Sequence, residues 1–210
     1  TIYLRVLIAC WADIIFIKNI DNVIQNHKES IALYKKALAG ILIEMQRQVF
    51  QYLNEIESAK ETDLEEMIAF AQNNLNVEIQ EDFSKYTLEN KISHIKELLD
   101  RPIRVCGMVK NEGEPGGGPF WVRDLKGAIS LQIVETSQVD LTNAEQVKIL
   151  ADATHFNPVD LVCGILNHKN EKFDLSHFVD HNSGFIVEKN KNGKPLKGYE
   201  LPGLWNGAMA

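Results

Sequence analysis

Apolar residues spaced three and four apart occupy residues 29–99 and predict three amphipathic helices. Thr62 is predicted to cap the second helix, with Glu65 completing a capping box, and Pro102 bars continuation of the third. The helical block separates two strand-rich regions and is either an insertion or a crossover. The predicted apolar face of the first helix comprises Ile31, Tyr34, Leu38, Ile41, Leu42, Met45, Val49 and Leu53.

Strand patterns lie on both sides of the helical block. Residues 13–17 read Asp-Ile-Ile-Phe-Ile, apolar on both faces, which is typical of a central strand covered by helices. After Pro102, strands are predicted over residues 103–109, 129–134 and 160–166, with a short helix over 145–151.

The fold class expected from this order is α/β, with a mixed sheet flanked by helices. We divide the chain into strand or strands of the core (residues 1–27), a helical insertion or crossover (28–101) and the remainder of the core (102–210). Together these form one domain.

Charge and cysteine usage predict the cellular setting. Lys plus Arg total 22 against 29 for Asp plus Glu, a net charge of −7, so nucleic acid and membranes are not expected partners. The apolar stretch over residues 2–17 is interrupted by Arg5 and Asp13, and falls short of the roughly 20 apolar residues of a spanning helix. Isolated cysteines with apolar neighbours predict buried, reduced thiols in a cytoplasmic protein; they are Cys10, Cys106 and Cys163.

A polar cluster directly follows the first apolar strand. Residues 19–22 read Asn-Ile-Asp-Asn, and the carboxyl end of a strand is where open α/β sheets place ligand-binding groups. Magnesium is held by one or two carboxylates together with substrate phosphates, which favours Asp21 as a metal ligand. The alternative is that Asp21 and Asn22 cap the following turn.

A glycine-rich segment between two predicted strands is the second candidate. Residues 113–118 read Gly-Glu-Pro-Gly-Gly-Gly, between Lys110 and Arg123. Its backbone N–H groups are able to face an anion, or the segment is a flexible hairpin loop. It opens no helix and therefore fits no phosphate-loop or dinucleotide fingerprint. The histidines between His155 and His181 lack the spacing of a zinc site.

Three segments resemble a bacterial family, domain of unknown function 4301. They are residues 13–23, residues 101–122 and residues 200–210. The resemblance covers nearly the whole chain from Ala12 onward.

The order of motifs is more distantly similar to that of UDP-sugar pyrophosphorylases, which have a nucleotide-diphospho-sugar transferase (GT-A-like) fold. In that family an Asp-Asn pair contacts the metal and nucleotide, which implies these roles for Asp21 and Asn22. A Gly-Val-Val-type turn near the sugar implies a sugar contact at Gly107. A Val-Val-Glu-type segment and a Phe-Asn segment imply that Glu135 contacts sugar hydroxyls and that Asn157 lies near the sugar. Residues 199–209 resemble a further motif more loosely.

The resemblance implies a magnesium-dependent sugar 1-phosphate nucleotidyltransferase whose ligand is a nucleotide sugar or a sugar phosphate. Three departures stand out. No Gly-rich loop precedes Asp13, and Thr136 and Gln138 replace the Tyr and second Glu of the sugar segment. The family's later lysine also has no counterpart. We therefore expect a fragment of a longer protein, inactive alone.

Two alternatives remain open at this point. One is a non-catalytic member of the same fold that binds a nucleotide sugar. The other is an interaction protein whose helices dock a partner, which an exposed stripe along Ile31, Leu38 and Leu42 would favour.

Overall fold

The computed structural model describes residues 13–18, 27–79, 81–113, 116–124, 127–191, 193–202 and 206–209, which adopt a mixed α/β fold. The helices are α1 (Lys28–Glu55), α2 (Glu61–Leu75), α3 (Leu88–Leu99) and α4 (Ala144–Ala151). The strands are β1 (Ile14–Lys18), β2 (Val77–Glu78), β3 (Ile103–Gly107), β4 (Gly118–Arg123), β5 (Ile129–Val134), β6 (Asp160–Gly164), β7 (Phe185–Lys191), β8 (Lys194–Glu200) and β9 (Asn206–Met209). Single 3-10 turns occur at Ile56–Ser58, Glu81–Lys85, Thr136–Gln138 and Leu175–Phe178.

The main sheet has the strand order β1-β6-β3-β9. Strand β6 is antiparallel to both β1 and β3, whereas β9 is parallel to β3. Lys18 and Gly107 both pair with Asp160, so β1 and β3 have their carboxyl ends at the same end of the sheet, on either side of the start of β6. The sheet is therefore mixed, as expected.

Strand β1 differs from the expected central strand. Within the part of the chain that the structure describes, it lies at the edge of the main sheet and pairs with β6. Phe16 is 48% exposed although its register partner Val162 is buried in the core under the helices, so the helices do not fully cover this edge strand. An apolar run on both faces thus did not require a central position.

Two smaller antiparallel units accompany the main sheet. Strands β2, β5 and β4 form a three-stranded sheet, and β7 pairs with β8 as a hairpin. In the turn of this hairpin, Gly193 adopts the left-handed backbone (φ 77°) that favours glycine.

The long helix α1 packs one side against strands β3 and β6. This confirms the sheet-facing part of the predicted stripe, in which Leu38, Leu42, Val49 and Leu53 are buried, whereas Tyr34 is exposed. The same core takes in α2 and α3, and it includes Ile56, Leu64, Leu75, Ile95, Leu99, Ile103, Val105 and Val162. The three helices therefore cover one face of the sheet. Their status as a separate insertion stays a prediction.

Helix α2 begins at Glu61, two residues earlier than an N-cap at Thr62 would place its start. Lys60 is the N-cap, and its backbone N–H donates to Asp63 Oδ2 at 2.8 Å. Asp63 lies three residues after Lys60 and supplies the acceptor that the prediction assigned to Glu65. The predicted capping box was wrong for this reason.

The opposite face of the main sheet holds the thiols. Cys106 and Cys163 are buried and free, as predicted, and Cys163 packs with Ile165 and Leu175. Burial raises the pKa of Cys106, and raises that of Cys163 to about 12. Cys10 lies outside the described residues.

No helix in the described ranges combines the length and the apolar character that crossing a bilayer requires.

Candidate functional site

Glu135 directly follows β5 and is held by a tight backbone turn. Its N–H donates to Gln138 Oε1 at 2.9 Å, and the Gln138 N–H donates to the Glu135 carbonyl at 2.9 Å. Both ends of the Thr136–Gln138 turn are thereby satisfied, which fixes the direction in which the half-buried Glu135 side chain leaves the strand.

Asn157 comes from a distant segment and meets Glu135. Its Nδ2 donates to Glu135 Oε1 at 3.3 Å and to Oε2 at 3.4 Å. Phe156 N donates to the Val109 carbonyl, and Val159 N donates to the Gly107 carbonyl. These backbone bonds fix the Asn157 segment against the end of β3. The fold therefore joins two of the expected site residues.

Two polar atoms beside this pair are buried without a hydrogen-bond partner among the described residues. They are Asn157 Oδ1 and Thr136 Oγ1. An unsatisfied buried polar atom costs about 1–3 kcal/mol, and exceptions of this kind call for a specific explanation. The Asn157 carbonyl is an acceptor and the Thr136 hydroxyl both donates and accepts, which is the inventory that a polyhydroxy ligand or ordered water would satisfy.

A cavity of about 480 Å³ lies beside Glu135 and Thr136. We call it the glutamate cavity; Asn111, Gly116, Gly117, Ser137, Leu150 and Ala153 complete its lining. Its volume falls within the range of small-molecule sites.

Part of the glycine-rich segment forms a wall of the glutamate cavity. A Cβ on Gly117 would lie 2.2 Å from the Val134 carbonyl oxygen, and one on Gly118 would lie 2.6 Å from the His155 carbonyl oxygen. These positions require glycine because the backbones approach each other closely. Residues 114 and 115 lie outside the described residues, so the anion-binding interpretation of this loop stays a prediction.

A smaller cavity of about 180 Å³ lies on another side of Glu135. Arg104, Gln138, Phe185 and Glu200 contribute to its lining. The Arg104 guanidinium donates from Nη2 to Gln132 Oε1 at 2.7 Å. Sequence reasoning missed Arg104, although a charged residue inside an otherwise apolar strand was a signal for it.

Gly107 lies against helix α1. A Cβ at this position would lie 3.1 Å from Leu38 Cδ1 and 3.3 Å from the Asp160 carbonyl oxygen. Close packing against α1 explains this glycine without a ligand. Its expected approach to a sugar remains a prediction.

Asp21 and Asn22 lie outside the described residues. Strand β1 ends at Lys18, in the same row as Asp160 and Gly107. The Asp160 carboxylate is 3.6 Å from Lys35 Nζ. Within the described residues, no group of three or more His, Cys, Asp and Glu side chains is arranged to hold a metal ion.

Comparison with known proteins identifies the family of this chain. No curated protein and no solved structure matches the chain. The family model described as Domain of unknown function (DUF4301) matches residues 3–210, and the chain therefore belongs to that family.

Proposed function

We propose that this chain contributes the sugar-binding part of a sugar-nucleotide pyrophosphorylase, with the nucleotide-diphospho-sugar transferase fold. The observation that carries the proposal is the contact of Asn157 Nδ2 with both Glu135 oxygens, at 3.3 and 3.4 Å, beside the glutamate cavity. The resemblance implied that both side chains serve one sugar, although 22 positions separate them.

The chemistry of these side chains suits a sugar ring. A carboxylate accepts hydrogen bonds from adjacent hydroxyls, whereas a side-chain amide both donates and accepts. In the proposed complex, hydroxyls of the sugar bond to Glu135, and Asn157 Oδ1 and Thr136 Oγ1 gain the partners that they lack in the described structure. The ligand would thereby remove two unfavourable polar burials.

The strand directions of the main sheet support the same assignment. Strands β1 and β3 both run antiparallel to β6, so both strands finish at the same end of the main sheet. Asp21 follows Lys18 by three positions, and Val159, two positions after Asn157, bonds to Gly107 at this end. A nucleotide contact from the Asp21–Asn22 pair and a sugar contact from Asn157 therefore form part of the proposal.

Magnesium enters the proposal through Asp21. Magnesium prefers oxygen ligands in octahedral geometry and keeps several waters. The carboxylate of Asp160 at the same end of the sheet is paired with Lys35, and that of Glu135 is held by Asn157. The described side chains do not by themselves form a magnesium site, so we derive no step from the metal.

The proposed reaction needs positioning more than covalent chemistry. A phosphate oxygen of the sugar 1-phosphate attacks the α-phosphorus of a nucleoside triphosphate, a new P–O bond forms, and pyrophosphate leaves with the electrons of the broken P–O bond. The residues of this chain would orient the sugar so that its phosphate meets the α-phosphorus in line.

One observation favours the non-catalytic alternative. Gln138 is committed to the fold, because its Oε1 accepts from Glu135 N and its Nε2 donates to the Ser183 carbonyl at 3.0 Å. It replaces a carboxylate of the resembled family, so a binding protein for nucleotide sugars is the second candidate. The helix-docking alternative loses its supporting feature, since Leu38 and Leu42 of its stripe are buried.

The test uses the full product of the gene that encodes this chain. It is incubated with magnesium, pyrophosphate and a panel of nucleotide sugars, and release of nucleoside triphosphate is measured beside equilibrium binding. We expect release from one nucleotide sugar, abolished by Asp21→Ala and reduced by Glu135→Gln. Binding that depends on Glu135 without any release would establish the non-catalytic alternative. Neither release nor binding by a folded protein would contradict the proposal.

A further inference from the structure

A second, larger cleft borders the glutamate cavity. Its volume is about 770 Å³, and we call it the aromatic cleft after the residues that define it: Phe120, Trp121, Arg123, Ile149, Phe185 and Ile186. Ser137 and Leu150 line both this cleft and the glutamate cavity. The two spaces therefore lie next to each other, on either side of these two residues.

The aromatic cleft presents an indole ring to solvent. Trp121 is 55% exposed, and Ile149 and Ile186 in the same lining are 57% and 58% exposed. Large apolar side chains that cluster in a concave surface mark binding sites more often than scattered ones do. An exposed indole offers a flat π-face on which planar aromatic ligands stack.

The charge of the aromatic cleft selects among planar ligands. The chain has a net charge of −7, yet the residues lining the cleft in the described structure include one cation, Arg123, and no carboxylate. The next carboxylate along the chain, Asp124, has its Oδ1 occupied by the Ala128 N–H at 2.8 Å. Unlike the glutamate cavity, the aromatic cleft has no carboxylate in its described lining, although Arg123 also borders a neighbouring groove together with Asp124 and Asp180.

Trp121 and Arg123 leave the same face of one strand and line the same cleft, where a single small molecule would reach both. Trp121 and Arg123 lie two positions apart in β4, so their side chains leave the same face of the strand about 7 Å apart. A nucleotide carries its planar base and its phosphate at a comparable separation. Gln146 and Asn182 in the same lining provide amide groups for the polar edge of a base.

We infer that the aromatic cleft binds a nucleoside phosphate, with the base stacked on Trp121 and the phosphate at Arg123. This chemistry has two sources: a free mononucleotide, or the nucleotide moiety of a nucleotide sugar whose sugar occupies the glutamate cavity. The second source rests on the proposed function, whereas the first does not.

The test is a calorimetric titration with uridine 5′-monophosphate and adenosine 5′-monophosphate, with uridine and ribose 5-phosphate as partial ligands. We expect saturable binding of at least one mononucleotide and weaker binding of both partial ligands. Trp121→Ala should weaken binding about tenfold or more, as expected for loss of one stacked base. Trp121→Phe should retain affinity within about threefold, because a phenyl ring still stacks.

Two further variants complete the design. Arg123→Gln should reduce mononucleotide affinity to that of uridine, since the phosphate loses its cation. Tyr34→Ala, at a residue that is 69% exposed on α1 and outside the cleft lining, is the matched control and should leave binding unchanged. No saturable mononucleotide binding, or equal affinity of Trp121→Ala and the unaltered chain, would overturn the inference.

Glu135→Gln separates the two sources of the ligand. It should leave mononucleotide affinity unchanged; if it weakens that affinity as much as Trp121→Ala does, the nucleotide lies in the glutamate cavity and the inference fails. UDP-glucose that binds more tightly than uridine monophosphate, with the gain removed by Glu135→Gln, identifies the nucleotide sugar as the source. Equal affinity of both ligands supports a free mononucleotide, and then the inference stands while the proposed function loses its support.

Discussion

Two regions of the molecule bury their side chains in different ways. One is the helical layer, formed by α1, α2 and α3, and the other is the Glu135 turn, residues 135–138. Helices α1, α2 and α3 cover the main sheet with a continuous set of apolar side chains, among them Leu42, Ile95 and Leu99 at 0% exposure. Around Glu135 the buried atoms include Thr136 Oγ1 and Asn157 Oδ1, which have no hydrogen-bond partner among the described residues. Glu135 also lines two cavities.

This difference separates stability from binding. Apolar burial contributes roughly 25 cal/mol for each Å² removed from water, whereas an unsatisfied polar atom costs free energy. The helical layer therefore stabilises the fold. The Glu135 turn lowers the free energy of unfolding, because it buries polar atoms whose hydrogen bonds only a ligand would supply. Loss of a buried apolar group should therefore lower stability in the helical layer, whereas loss of the unpartnered Thr136 hydroxyl should raise it.

The largest expected effect is on the reactivity of Cys163, on the face of the main sheet opposite the helices. Its pKa is raised by burial to about 12 from the ordinary value of 9.0, which reduces the reactive thiolate about a thousandfold. Alkylation of the native chain, followed by peptide mass mapping, should leave Cys163 unmodified until denaturant is added. Rapid native labelling of Cys163 would show that this face of the sheet admits water.

The second prediction concerns the centre of the helical layer. Leu42→Ala should lower the free energy of unfolding by about 2–5 kcal/mol, because it removes a fully buried side chain and leaves a void. Leu33→Ala on the same helix is the matched control, since Leu33 is 67% exposed and should change stability by less than about 0.5 kcal/mol. Urea unfolding measures both. Equal effects would remove the distinction between the two sides of α1.

The third prediction reverses the sign at the Glu135 turn. Thr136→Val replaces a buried hydroxyl that lacks a partner by a methyl group of similar size. We expect the free energy of unfolding to rise by up to about 1 kcal/mol while affinity for the sugar ligand falls. A loss of more than about 1 kcal/mol would mean that the hydroxyl supports the fold, and the contrast between the two regions would then fail.

The smallest expected effect is the pH dependence of stability that His94 of α3 contributes. Burial lowers the pKa of His94 from 6.5, beside the rings of Phe83 and Tyr86. The unfolded chain therefore takes up a proton at a higher pH than the folded chain, and stability declines as the pH falls below 6.5. Urea midpoints at about pH 7.5 and about pH 5.5 should differ less in His94→Gln than in the unaltered chain. An unchanged difference would assign the pH dependence to other groups.

Local patterns in the sequence predicted the elements of the fold better than their arrangement. Apolar spacing predicted three helices within residues 29–99, the last of them ending before Pro102, because helical periodicity is a local property. The edge position of β1 did not follow, since a strand's neighbours depend on contacts distant in sequence. The cap of α2 was also misplaced, because Lys60 offers no side-chain acceptor and so carries no sequence signature of an N-cap.

The site was accessible from the sequence in part. Glu135 and Asn157 were named through a resemblance, and the structure joins them, yet nothing in their spacing of 22 positions predicts contact. Thr136 appeared as a departure from the family pattern, and its burial without a partner became visible from the packing around it. The aromatic cleft combines residues of β4, α4 and β7, which periodicity alone does not bring together.

The central claim is that Glu135 and Asn157 bind the hydroxyls of a sugar. Equilibrium titration of sugar 1-phosphates and nucleotide sugars against the unaltered chain and Glu135→Gln tests it most directly, with exposed Glu145→Gln as the matched control. We predict saturable binding that Glu135→Gln weakens about tenfold or more, as expected for hydrogen bonds to a charged group, and that Glu145→Gln leaves unchanged. Equal weakening by both variants, or no binding of any sugar ligand by the folded chain, would contradict the account.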